Sequence, residues 1–378
     1  MKGKKRVFVL GAGVSRAIAN YPIASELSEK IHAIAMETSE DSFLKVWEVL
    51  ENIFKRNIDS LGVSGCEHPE PIDIEFLSTI IELNIKKHYE YIEKSTRPAY
   101  CSVPYIEGVK YSELERAQRF IKKSLIYLLS PFNSNIKLDE QIGKLFVDYL
   151  NKGDTIITFN YDVLMESLLW QQKLWSPKDG YVIGKLPDKY LKLKGIKRNT
   201  SIELIKLHGS INWIQREREI EIVLNDLNNQ QSLFDGVHIS EYYHPDINKV
   251  NLETVLVIPS YLKFFNKAYE LELLKKSVDV IKDADKIYII GYSIPDADTT
   301  ANFLLSQIPG QSKIVIINKG EEVVYKLENK LTKNYGLDIQ NMYCNADGVV
   351  AWIKNPSKLI KCKSLHNSKK SNRFRDSI

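Results

Sequence analysis

Cysteine is scarce: the 378-residue chain holds four, at 66, 101, 344 and 362, with no pair at metal-ligand spacing. That excludes a zinc ribbon and a disulfide framework, and fits a reducing compartment. Long apolar runs are missing as well. The basic lead before Gly11 carries too few apolar residues for a signal sequence, and no stretch reaches membrane-spanning length, so a cytoplasmic protein without a membrane partner is expected. Glycine and proline are sparse, 18 and 13 residues, which rules out collagenous and low-complexity chains. Charge of one sign is lacking too. Lysine plus arginine exceed aspartate plus glutamate by 52 to 48, too little for nucleic-acid binding by the whole surface, so any basic function is local.

What is present is a 44% apolar, 26% charged composition, that of an ordinary folded protein. Val7 to Leu10 form a short β-branched run that enters Gly11-Ala12-Gly13-Val14-Ser15. Beyond it Ile18, Ile23, Leu27, Ile31 and Ile34 recur at helical spacing, interrupted by Pro22, where a second helical piece begins. The opening reads as strand, glycine loop and helix. Over 36–150 the pattern turns helical, notably from Asp73 to Ile92 and from Ser112 to Leu129, and is read as a helical insertion.

Strand-like runs return at Thr155 to Phe159, Glu203 to Leu207, Thr254 to Ile258, Lys286 to Ile290 and Lys313 to Ile317. Helical patterns follow Tyr161, Asn266, Pro295 and Gly320. Alternation of this kind predicts an α/β fold: a doubly wound, mostly parallel Rossmann-like sheet of about six strands, with helices on both faces. The expected organisation is a nucleotide-binding domain from 1–35 and 151–350, the insertion at 36–150, and a basic tail at 351–378. From Lys354 to Arg375 that tail carries eight Lys or Arg before Asp376. It is either a solubilising end or a DNA contact through Lys361, Lys363, Lys369 and Lys370.

Ligands of open α/β sheets bind at the carboxyl ends of the strands, so the chemistry is sought there. Gly11 permits a tight turn, Gly13 a close backbone approach, and Ser15 either caps the helix or donates to a phosphate. The third glycine of the dehydrogenase fingerprint is replaced by Arg16, and no second strand follows, which disfavours hydride transfer. Arg16 itself either faces phosphates or is solvated. At the next strand end Asn160 offers donor and acceptor together, and Asp162 orients a neighbour or caps a helix. His208, in Lys206-Leu207-His208-Gly209, is the best candidate base among seven histidines. The Gly291-Tyr292-Ser293-Ile294-Pro295-Asp296-Ala297-Asp298 loop and Asn318 supply further strand-end polar groups. His238, Glu241 and His244 lie in the polar excursion from Asn225 to Val250 without a further ligand, so no metal is expected.

In that order and spacing, GAGVS at 11–15, TFNYD at 158–162, KLHG at 206–209, GYSIPDAD at 291–298 and IIN at 316–318 resemble the sirtuin-like family. The GYSIPDAD form and the missing zinc cysteines look like its bacterial antiviral-defence branch, whose members degrade NAD. The resemblance leaves 36–150 and the tail unmatched. It implies Gly11, Ala12, Gly13 and Ser15 at the NAD phosphates, Asn160 and Asp162 beside the nicotinamide ribose, and His208 as catalytic histidine. Gly291 falls in the matching loop, while Ser293 and Asn318 match positions holding the adenosine half. The implied activity is NAD+ glycohydrolysis, with NAD as substrate, in a homo-oligomer and with a HerA-type hexameric ATPase as candidate partner. A non-catalytic NAD- or ADP-ribose-binding subunit and an NAD-dependent deacylase are the alternatives.

Overall fold

The computed structural model describes residues 5–60, 72–94, 108–130, 133–177, 180–181, 200–216, 219–222, 254–256, 268–296 and 298–362. Strand β1 (Arg6–Leu10) is buried over its last four residues and leads into α1 (Ala12–Ala19). Then come α2 (Ala24–Thr38), α3 (Asp41–Ser60), α4 (Ile74–Lys94), α5 (Tyr111–Leu128) and α6 (Glu140–Asp148) before the chain returns to β2 (Thr155–Thr158). After β2 follow α7 (Leu164–Gln171), β3 (Glu203–Lys206), β4 (Gly209–Arg216), β5 (Glu219–Ile222), β6 (Thr254–Leu256) and α8 (Ala268–Lys282). The last part comprises β7 (Lys286–Ile290), α9 (Thr299–Ser306), β8 (Lys313–Ile317), α10 (Glu321–Asn329), β9 (Met342–Asn345), α11 (Val349–Lys354) and β10 (Ile360–Lys361).

The main sheet has seven strands in the order β10-β9-β8-β7-β1-β2-β3, all parallel except the β9–β10 pair. The predicted parallel α/β sheet is therefore present, with helices over both faces. Right-handed crossovers moving outward from β1 toward β3 place their helices on one face, and those moving from β7 toward β9 place theirs on the other. Accordingly α1, α6, α7 and α11 pack against one another, while α8 packs on β3 and α9, and α10 on β8 and β9. The order reverses between β1 and β7. At such a switch point the connections diverge and leave a crevice beyond the strand ends.

The strand assignments differ from the sequence reading in the Thr254 run and in strands β4, β5, β9 and β10, which that reading does not include. The run at Thr254 pairs antiparallel with β4 in a separate three-stranded sheet, β5-β4-β6, rather than joining the parallel one. A short apolar run carries no information about its partner, and the β4–β5 hairpin, absent from the sequence reading, supplied an edge. Strand β9, Met-Tyr-Cys-Asn, is not expected from the sequence: it has little β-branching and takes its place from pairing with β8.

The sheet core runs from Phe8, Val9 and Leu10 through Ile156, Ile205, Ile289 and Ile316. A second core lies among α2 to α5, built from residues such as Leu27, Ile31, Phe43, Trp47, Leu77, Ile81, Phe120 and Ile121. Helix α6 belongs to the sheet core through Ile142, Phe146 and Val147.

Candidate functional site

Register places the site. Lys206 pairs with Thr158, Thr158 with Leu10, Leu10 with Ile290 and Ile290 with Ile317, so five parallel strands end level. The residues just beyond, His208, Asn160, Gly11, Gly291 and Asn318, therefore stand along one edge of the sheet, across the switch point.

The glycines of this edge serve close loop packing. A Cβ on Gly11 would stand 2.6 Å from the Cα of Tyr292, and one on Gly13 2.7 Å from the Gly291 carbonyl oxygen. Gly291 itself adopts φ +58°, and a Cβ there would meet the Val14 nitrogen at 2.6 Å. Glycine alone tolerates both the approach and the left-handed backbone. The Gly13 N–H donates to Gly291 O at 2.8 Å and the Val14 N–H to Gly11 O at 3.1 Å, leaving Ala12 N–H outside these bonds at the start of α1.

Asn160 is tied to the same corner. Its Nδ2 donates to Gly11 O and to Ser15 Oγ, both at 3.0 Å. The Asp162 carboxylate, at the end of this loop, accepts the Leu164 N–H at 3.1 Å through Oδ1. Burial pushes the Asp162 carboxyl above its usual range, against the opposing pull of Lys206, Ser15 and Leu164 N–H. Behind it the Lys206 ammonium donates to the Asp162 carbonyl and to Glu166 Oε1, the latter at 2.7 Å. Tyr181 adds its hydroxyl to the same Glu166 oxygen at 2.7 Å. Corner, asparagine loop and β3 are thus one hydrogen-bonded unit.

His208 is buried at the end of β3, with Nε2 3.5 Å from Asp298 Oδ2. Phe159 meets the imidazole edge-on at 5.0 Å between centroids and stacks on Tyr292 at 4.8 Å; Tyr161 lies 6.0 Å from His208. Tyr292 packs against Gly11, so the imidazole is joined to the glycine corner through two rings. Burial first, then the Asp298 charge, hold the Tyr161 and Tyr292 hydroxyls well above their usual range. Glu75, at the start of α4, adds to both effects.

The remaining candidates fall as follows. Asn318 Nδ2 donates to Tyr292 O at 3.1 Å, bracing the loop from behind, and Ser293 is exposed at the rim. The Arg16 guanidinium grips Glu26 through both terminal nitrogens, at 3.0 and 2.8 Å. His238, Glu241, His244, Lys363, Lys369 and Lys370 lie outside the described residues, whereas Lys361 sits in β10. Among the described residues no group of three or more His, Cys, Asp or Glu side chains could hold a metal, and no helix is long and apolar enough to cross a membrane.

Sequence reasoning gave no role to Asp298, Lys206, Glu166, Tyr181 or Glu75. Two of them carried a signal: a lysine inside the apolar run Glu203 to Leu207 must be buried with a partner, and an aspartate before Thr299 is a helix cap.

The pattern of the SIR2-like domain family matches residues 154–339, a span that includes Asn160, Asp162, His208, Gly291, Ser293 and Asn318. Among curated proteins none matches. A solved structure of Sir2 in complex with the inhibitor EX-527, 2′-O-acetyl-ADP-ribose and deacetylated p53-peptide is similar at 13% identity, over 89% of this chain and 95% of that one, with a TM-score of 0.31. So loose an overlay fixes no residue correspondence.

Proposed function

We propose that this chain is an NAD+ glycohydrolase that converts NAD+ and water to nicotinamide, ADP-ribose and a proton. The observation that carries the reading is the level edge on which Asn160, bonded to the Gly11 and Ser15 corner, and His208 stand together. The match of residues 154–339 to a SIR2-like domain supports it.

The chemistry asked of the residues is modest. Nicotinamide leaves as a neutral molecule, taking the electron pair of the glycosidic bond, so the site needs to hold the ribose, steady a cation-like sugar and supply water. Asn160 Nδ2 is occupied by Gly11 and Ser15, which turns Oδ1 away from that corner to orient ribose or water. His208 receives the proton as the water oxygen bonds to the anomeric carbon. Ala12 N–H and the start of α1 receive pyrophosphate, Gly13 and Gly291 hold the two loops together, and Ser293 and Asn318 lie toward the adenosine half. Asp162 accepts the Leu164 N–H and so fixes the end of the Asn160 loop.

Positioned proton transfer is worth about 100-fold to 10,000-fold, so His208→Ala lowers nicotinamide release by at least that lower bound while remaining folded, though with a lowered melting temperature because the buried ring is removed. Turnover at the wild-type rate by a folded His208→Ala protein overturns the assignment. Nicotinamide release that requires an acylated peptide makes the chain a deacylase, and NAD recovered intact from a tight complex makes it a binding subunit.

In the cell the reaction depletes NAD, and we place it in bacterial anti-phage defence on the sirtuin-like resemblance of the motifs. A homo-oligomer and a HerA-type hexameric ATPase are the proposed means of keeping it quiet until infection. Affinity capture during infection that returns only the isolated chain refutes the partnership.

A further inference from the structure

Strands β7 and β3 stand three spacings apart in the sheet, roughly 14 Å at about 4.8 Å per spacing. Yet Asp298, at the end of the loop that follows β7, brings Oδ2 to 3.5 Å from Nε2 of His208, which follows β3. The loop from Gly291 to Asp298 therefore crosses the ends of β1 and β2. It does so under strain: buried Ile294, a β-branched residue, is held at φ +51°, with its carbonyl accepting from Lys330 Nζ at 2.7 Å.

Asp298 has two separate engagements. Oδ1 accepts the Ala301 N–H at 3.1 Å and caps α9, which is all a helix start requires. Oδ2 takes no part in the cap: it accepts the Tyr292 hydroxyl at 2.6 Å and faces the imidazole. The residue is 3% exposed. A carboxylate kept this dry and this close to an imidazole stabilises imidazolium and limits rotation of the ring. The charged or titratable groups around His208 include Asp298 and Tyr292 from the β7–α9 loop and Tyr161 from the β2–α7 loop, with Glu75 of α4 acting on both tyrosines.

We infer that Asp298 is the positioning residue of His208, aiming the imidazole and stabilising the imidazolium formed when water loses its proton; the inference rests on the glycohydrolase reading. It acts through His208 and touches no substrate.

The test uses the full chain, with NAD as the probe and nicotinamide release followed from pH 5 to 9. Asparagine caps helices as well as aspartate, so Asp298→Asn keeps the fold and removes the charge. Its KM stays near wild type and its kcat falls tenfold or more. Loss of an opposite charge at this range moves a pKa by about 1–3 units, so the acid limb of kcat/KM shifts to lower pH by about that amount. Asp298→Glu restores the charge and brings the limb back toward wild type. Tyr292→Phe leaves the cap alone and frees Oδ2 of a competing donor, which moves the limb to higher pH and covers the case in which the Asp298 variants do not fold. A folded Asp298→Asn enzyme with the wild-type kcat and acid limb, or limbs unmoved in every folded variant, reduces Asp298 to a helix cap and overturns the inference alone. A raised KM with an unmoved limb overturns it too, since Asp298 would then bind substrate. Wild-type protein that releases no nicotinamide under any condition overturns the glycohydrolase reading, and this inference with it.

Discussion

Replacing Lys206 with methionine removes a cation from the interior while keeping its aliphatic length. Lys206 and Glu166 are 0% and 1% exposed, and their charges meet at 2.7 Å. Without the ammonium, Glu166 and Asp162 are left as buried carboxylates, and the Asp162 carbonyl loses its donor. Breaking a buried pair from one side costs about 3–5 kcal/mol, because the remaining charge is neither paired nor solvated. At roughly 2.1 cal/mol/K of unfolding entropy per residue, 378 residues carry about 0.8 kcal/mol/K, so the melting temperature falls by about 4–6 °C. The sign with pH follows from Asp162. Its folded pKa already stands above the unfolded value, so the native state prefers the proton, and a penalty appears as pH rises through the unfolded and then the folded pKa. Removing Lys206 raises that folded pKa further, and the deficit of Lys206→Met is therefore larger at pH 8 than at pH 5. Scanning calorimetry at the two pH values reads both quantities. The double variant Lys206→Met with Glu166→Leu, which replaces the pair with apolar side chains, recovers part of the loss. Melting of Lys206→Met within about 1 °C of wild type, or strict additivity in the double variant, refutes the picture of a buried and coupled pair.

Two further expectations concern the buried tyrosines and the packing of the two glycine loops. The hydroxyls of Tyr21, Tyr161, Tyr181 and Tyr292 are raised well above 10 by burial first and by nearby carboxylates second. Their contribution to stability is complete below pH 10 and is lost as pH climbs toward the folded values. Absorbance at alkaline pH, read beside circular dichroism, then shows native protein ionising fewer than its 20 tyrosines, the rest only on unfolding; Tyr292→Phe that lowers the native-ionising count contradicts this. Gly291→Ala forces a left-handed alanine against Val14, whereas a Cβ at Gly310 meets nothing within 4 Å. The first substitution lowers melting temperature and nicotinamide release by separating the two loops, and the second leaves both near wild type; equal effects from the two dismiss the packing explanation.

Much of the molecule was open to inspection in one dimension. Val7 to Leu10 running into Gly11-Ala12-Gly13, and strands alternating with helical patterns after residue 150, encode a parallel sheet through β-branching, 3.6-residue periodicity and glycine placement, all of them local properties. The same locality marks Asn160 and His208 as candidates, since both follow strand-like runs and ligands of open α/β sheets bind beyond the carboxyl ends of the strands. Neighbours in space are another matter. Thr254 to Leu256 is as apolar as the strands of the parallel sheet yet pairs with β4, because which edge a short run finds depends on what else has already folded beside it. Lys206 and Glu166 lie 40 residues apart and become partners only when α7 is laid against β3. Asp298 reads as a helix cap in the chain, and a cap it is. Its second oxygen reaches His208 only because strand order and register set five strand ends level and carry one loop across them, an outcome of long-range packing that no local pattern encodes.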